Sequence, residues 1–391
     1  MSQPAAPLHP TRAPRAAAIA LAAALAVPGC ALLGDARSAP EPEPEAAVDA
    51  ATASGSRLAA AGIDHAVVAE AFITAPTPPD EVDSPTAWTA PGGARWIISS
   101  GKDSHQLLVH DGATGALLRR VGARGEAPGQ FRRPNGVFAW GDLLFVVERD
   151  NRRVQVLSLP DFRPLATFGE AELRSPYGLW LHEPEAGRLE VWVTDSAMDG
   201  ADFDVVPPLE ALSARLKRYT LLVDGEAVSA RFDGAFGDTT PAGALRIVES
   251  IVGDPTHGRL LVAEEDVATG TGLRVYGLDG RYAGADIGVG TFAAQAEGLA
   301  LFACEDGSGY WIAADQFVDR TLFRVFDRQT LAARGAFAGR ATAMTDGVWL
   351  AQGPSARFPA GALYAADRDQ SVAAFDWRDV AGALDLRERC D

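Results

Sequence analysis

The chain has 391 residues, carries 35 Lys+Arg against 52 Asp+Glu for a formal charge of −17, and is 47% hydrophobic. That apolar share supplies a large core and excludes global disorder. So acidic a balance excludes nucleic acid as the main partner, because a phosphate backbone needs a basic footprint; it suits cations, divalent metals first.

In chain order, Arg12 and Arg15 precede an apolar run over residues 16–27. The run is about half of what a bilayer span needs, and with its basic start it reads as a secretory signal peptide. Its end, Leu25-Ala26-Val27-Pro28-Gly29-Cys30, resembles a bacterial lipobox, whose Cys becomes the lipidated first residue of the mature chain; the competing reading is an ordinary signal peptide cut nearby. The lipobox makes residues 1–29 a lipoprotein signal peptide and anchors the chain to a membrane through Cys30. Ala31 follows where an Asp would mark inner-membrane retention, so an outer-membrane lipoprotein of the cell envelope is expected. Residues 30–80 are rich in Ala, Pro and Glu, as in Pro40-Glu41-Pro42-Glu43-Pro44-Glu45, and read as a disordered, extended tether. A short helix or early strand is expected within residues 58–71.

Residues 81–391 alternate short apolar runs with turn signals, and β-branched and aromatic residues fill the runs, as in Leu143-Leu144-Phe145-Val146-Val147. This predicts an all-β domain. A unit recurs that opens on a variable residue and a Gly before an apolar strand: Pro134-Asn135-Gly136-Val137, Pro176-Tyr177-Gly178-Leu179, Val248-Glu249-Ser250-Ile251, Ala296-Glu297-Gly298-Leu299 and Thr345-Asp346-Gly347-Val348, with a weaker first copy at Pro85-Thr86-Ala87-Trp88. Counted from Ala87, the steps run from 42 to 49 residues except one of 72, which holds an insertion around residues 199–213. Repeats of this length with about four strands each signal a β-propeller, and six copies predict six blades. The segment 380–387 reads as a short helix or a last strand completing the ring.

In a propeller the innermost strand of each blade starts, and the second strand ends, on one face beside the central channel. The residues before each Gly, Asn135, Tyr177, Glu249, Glu297 and Asp346, therefore converge there with acids near the second-strand ends: Asp103, Glu148, Asp195, Glu264, Glu265, Asp266, Asp315, Asp367 and Asp369. Carboxylates that close repel unless a cation intervenes. Oxygen donors without a His or Cys cluster point to Ca²⁺. Any one of these acids also suits a turn; the same register in three blades weighs toward a site.

The second half resembles the β-propeller phytases (3-phytase-like), secreted calcium-dependent enzymes that remove phosphate from inositol hexakisphosphate. The matching stretches are Leu260-Leu261-Val262-Ala263-Glu264-Glu265-Asp266, Ala296-Glu297-Gly298-Leu299, Gly309-Tyr310-Trp311-Ile312-Ala313-Ala314-Asp315-Gln316 and Thr345-Asp346-Gly347-Val348, with looser matches at Asp83-Ser84-Pro85 and Gly101-Lys102-Asp103. The resemblance implies a phosphomonoester hydrolase acting on calcium phytate through metal-activated water. It implies Asp83, Tyr177, Glu249, Glu264, Glu297 and Asp346 as calcium ligands, Lys102 with Arg149 or Arg152 as phosphate-holding cations, Gln316 as a polar site residue, and a role in catalysis for Glu249 besides. The chain departs from the family pattern at Ser84, Gln295 and Ser250, and lacks a lysine near Val193-Thr194-Asp195.

Blade two also looks like an NHL repeat, through Gly125-Glu126-Ala127-Pro128-Gly129-Gln130-Phe131 and Asp150-Asn151-Arg152-Arg153-Val154. In such a repeat Arg152 is a turn residue tying neighbouring blades. Two rival functions follow: a non-catalytic propeller binding an envelope partner, and a calcium-dependent lactonase using Asn135, Glu297 and Asp346. A monomer is expected. Cys304 and Cys390 remain in the mature chain, where an oxidising compartment allows a disulfide, and the eight Trp read as packing between sheets.

Overall fold

A computed structural model describes residues 56–390 except 202 and 289. The signal peptide, Cys30 and most of the tether lie outside the described residues. The chain opens with α1 (Leu58–Ala61), β1 (Ala66–Val67) and β2 (Phe72–Ile73). Blade one is β3 (Val82–Thr89), β4 (Arg95–Gly101), β5 (Gln106–Asp111) and β6 (Leu117–Val121). Blade two is β7 (Pro134–Trp140), β8 (Leu143–Glu148), β9 (Arg153–Ser158) and β10 (Pro164–Phe168). Blade three is β11 (Pro176–Glu185), β12 (Arg188–Asp195), β13 (Leu216–Asp224) and β14 (Ala227–Phe236). Blade four is β15 (Ile251–Asp254), β16 (Arg259–Glu264), β17 (Gly272–Gly277) and β18 (Tyr282–Ile287). Blade five is β19 (Ala296–Ala303), β20 (Gly309–Asp315), β21 (Leu322–Asp327) and β22 (Ala333–Ala338). Blade six is β23 (Val348–Ala351), β24 (Ala362–Asp367) and β25 (Ser371–Asp376), followed by α2 (Trp377–Leu384). The innermost strands contact one another in sequence and β23 returns to β3, so the chain is the six-bladed propeller its repeats predict.

The continuous apolar runs follow from this packing. Successive side chains on a strand point to opposite faces, and both faces of a blade are covered by its neighbours. On β8, Leu144 and Val146 enter the core shared with blade one, while Phe145 and Val147 enter the core shared with blade three. On β12, Trp192 packs toward blade four and Val191 and Val193 toward blade two. Trp88, Trp192, Trp311 and Trp377 are all buried in this way.

Three boundaries differ from the sequence reading. The ring is closed by the N-terminal segment: β2 is the outer strand of blade six, with Phe72 opposite Ala374, and β1 adds a fifth strand in parallel beside β22. Residues 58–80 thus belong to the propeller, and the tether expected over 30–80 ends earlier. The closing segment is the helix α2, one of the two forms expected, and the ring is completed by β2 instead; α2 buries Trp377, Val380 and Ala381 between blades five and six. Beyond it a disulfide joins Cys390 to Cys304, Cα atoms 5.3 Å apart. Among the described residues no helix is long and apolar enough to cross a membrane.

Candidate active site

The ladder between first and second strands shifts register at the same point in four blades: between Val82 and Pro85, Pro134 and Val137, Pro176 and Leu179, and Ala296 and Leu299. Each bulge skips a pair, Asp83-Ser84, Asn135-Gly136, Tyr177-Gly178 or Glu297-Gly298. In blades four and six the strand begins just after the matching pairs, Glu249-Ser250 and Asp346-Gly347. A bulge re-aims side chains, and the four bulged pairs with the two matching pairs set six first residues around the channel mouth. Ser84, not Ala87, therefore stands in the glycine position of blade one. The glycines answer to close approach: a Cβ on Gly178 would lie 2.2 Å from the Glu249 carbonyl oxygen, and one on Gly347 would lie 2.7 Å from Ser84 Cα. Below the ring the channel narrows to an apolar cavity of about 70 Å³ lined by Val137, Leu179, Ile251, Leu299 and Val348.

A second set of acids ends the second strands and belongs to the fold. The carboxylate of Glu148 accepts the Arg132 N–H (3.2 Å), Asp195 that of Ser175 (2.7 Å), Asp315 that of Ala294 (2.8 Å) and Asp367 that of Ala343 (3.0 Å). Each clamps the loop that leads into the first strand of its own blade. Cations back them: Arg153 to Glu148 at 2.7 Å, Lys217 to Asp195 at 3.2 Å and Arg324 to Asp315 at 2.7 Å. Glu264 holds the same position, is fully buried, and accepts the N–H groups of Arg246 (2.8 Å), Ile247 (3.3 Å) and Asp266 (3.1 Å). Burial pushes its carboxyl up to about 7 against those hydrogen bonds. The calcium ligand implied at Glu264 is thus a loop clamp.

In four blades the residue after the second strand faces the mouth. In blade one this is Lys102, whose Nζ lies 3.2 Å from Asp83, 3.6 Å from Glu81 and 3.9 Å from Asp346. In blade two it is Arg149, buried, with Nε 2.8 Å from Asp150; burial opposes its charge, and Tyr177 and Asp150 outweigh that and raise its pKa. In blade five it is Gln316, which donates to Asp346. In blade four it is Glu265, whose Oε1 accepts the Glu249 N–H at 3.0 Å. One carboxylate oxygen each from Glu249, Glu265 and Glu297 lies within 4.8 Å of the others. Three hard oxygen donors so close fit a divalent cation of the calcium type.

Of the implied residues, Glu249 and Glu297 join this cluster, while Asp83 and Asp346 gather around Lys102. Tyr177 sits beside Arg149. Arg152 is exposed on the turn after β8, and the tie to the neighbouring loop is made by Arg153, which donates to the Glu126 and Gln130 carbonyl oxygens. The sequence reading left Glu265 out of its candidate ligands, although its carboxylate meets those of Glu249 and Glu297, and missed Arg133 altogether; Arg133 spans Glu81 (3.0 Å) and Asp103 (2.8 Å). Asn135 is 1% exposed, and neither polar atom of its amide has a hydrogen-bond partner among the described residues.

Fold and site together define a six-bladed propeller with an acidic, lysine-bearing channel mouth. Residues 245–375 match the family model described as Phytase, so that stretch is similar to the phytase family. No curated protein matches the chain. Similar solved structures include a nidogen/laminin complex (16% identity, 70% of this chain and 86% of that one, TM-score 0.43) and the Cps50 (Swd1) β-propeller domain of Myceliophteria thermophila (10% identity, 78% and 99%, TM-score 0.43). Hydrazine synthase of Kuenenia stuttgartiensis is similar at 12% identity over 81% of this chain and 82% of that one, with a TM-score of 0.44.

Proposed function

We propose that the channel mouth is a calcium-dependent phosphomonoester hydrolase site of phytase type acting on inositol hexakisphosphate. The observation that carries this reading is the meeting of Glu249, Glu265 and Glu297 within 4.8 Å, in the same ring that sets Lys102 between Asp83 and Asp346. Bound at the three carboxylates, Ca²⁺ would supply positive charge toward phosphate oxygens and lower the pKa of a water. Lys102 and the buried Arg149 supply fixed cations for the remaining phosphate oxygens, and Gln316 orients Asp346. Of the lactonase trio, Glu297 joins Glu249 and Glu265, while Asp346 lies beside Lys102. The test is phosphate release by residues 56–391 with Ca²⁺ titrated against EDTA. Release that needs Ca²⁺ is expected; release unaffected by EDTA, or none at any Ca²⁺, overturns the reading.

The lipobox reading supports a lipoprotein anchored at the outer membrane. Labelling with a radioactive fatty acid should mark the chain and disappear in Cys30→Ser.

A further inference from the structure

Large apolar side chains exposed to solvent fall into two groups. Val67, Leu117, Leu118, Leu222 and Phe232 lie in strands; Phe203, Val205 and Val267 lie in loops. The three loop residues share one face. Second strands end at the channel mouth, so the loops that follow β12 and β16 both stand on the mouth side. Phe203 and Val205 belong to the blade-three insertion, which is a built tip: the Asp199 N–H donates to the Val205 oxygen at 2.8 Å, and the Val205 N–H returns to Asp199 at 3.0 Å. Phe203 is held outward at φ +53°, a conformation an aromatic residue rarely adopts.

An independent observation points the same way. The described chain begins on this face: the Val318 N–H donates to the Ser56 oxygen at 3.2 Å, and the Leu58 N–H to Asp319 at 2.7 Å, both on the loop just past Gln316. The chain ahead of Ser56 carries Cys30, the residue the lipobox reading lipidates. A lipid anchor at Cys30 would connect through the 25 residues ahead of Ser56, which enter the propeller on the mouth side.

We propose that the mouth face is the membrane-facing surface of the protein, with Phe203, Val205 and Val267 entering the headgroup region of a phosphate-bearing lipid surface. Asp199 and Asp204 flank the blade-three tip, so contact with anionic headgroups requires a divalent cation between them. The inference does not rest on the hydrolase reading.

All six blades and the cores between them are made within residues 56–390, so residues 56–391 test the face without the anchor. Vesicles of phosphatidylcholine with phosphatidic acid should co-sediment this chain in Ca²⁺ and release it in EDTA. Hydrogen exchange should slow in the loops 197–206 and 265–271 and stay unchanged at the opposite-face turns near Gly225 and Gly258. Phe203→Ser with Val205→Ser should weaken sedimentation about tenfold and leave release of phosphate from soluble substrate unchanged. Val267→Ser, outside that loop, should weaken it by less. Absent sedimentation, protection of the opposite face, or variants that sediment like the parent would each overturn the proposal. Loss of phosphate release alone bears only on the hydrolase.

Discussion

The two sides of the channel mouth share one backbone design and carry opposite charge. Blades one and two put Lys102 and Arg149 at the position after the second strand; blade four puts Glu265 there, beside Glu249 and Glu297. The bulge that presents the inner ring is the same in blades one, two, three and five. In blades two and four the position just before is a loop clamp. Glu148 and Glu264 accept backbone N–H groups in the same way, although their next neighbours are Arg149 and Glu265. Chemistry at this mouth is therefore written in single residues on a scaffold whose stability is carried by the residues adjoining them.

That separation can be broken by experiment. Asp315→Ala should cost about 3–5 kcal/mol in urea unfolding, because it strands a buried Arg324 and two loop N–H groups; a cost below about 1 kcal/mol would remove the clamp role. Glu265→Gln should cut calcium-dependent phosphate release about a hundredfold, with the urea midpoint in EDTA unchanged. An equal fall in stability would erase the distinction between the two rings. Gly178→Ala should cost about 2 kcal/mol by pushing β11 off the Glu249 carbonyl, and the displaced Glu249 should weaken calcium binding as well, seen by calorimetry.

The smallest effect lies outside both rings. Burial pushes His110, on β5, down to about 4, with Arg120 acting in the same direction and Asp80 against it. A depressed histidine favours the folded state when neutral. Its contribution is complete above the unfolded value of about 6.5 and is lost as the pH falls toward 4. His110→Gln should flatten the urea midpoint over that window relative to the parent, and identical profiles would show that His110 does not set it.

Much of this was legible in the sequence, for reasons specific to each part. The blades showed because each x-Gly opening answers to a local close contact, as Gly178 does to Glu249. Blade one misled because Ser84 holds the glycine position, and the apolar Ala87-Trp88 then looked like the opening. Glu264 and Glu265 are adjacent and chemically alike; only the ladder, which aligns Glu264 with Glu148, Asp195 and Asp315, tells clamp from ligand. β1 and β2 are two residues each, too short for any period to show, and their partners lie about three hundred positions away. The match over residues 245–375 covers the blades whose motifs were most specific.

The pairing of β2 with β25 has a consequence in time. Phe72 is among the first propeller residues to be made and Ala374 among the last. The ring cannot shut until nearly the whole chain is present, and contacts of such sequence separation form slowly. Until then blade six lacks its fourth strand and shows an open edge to its surroundings. Under the proposed export, this places the vulnerable interval at the very end of translocation, when the first residues out must wait for the last.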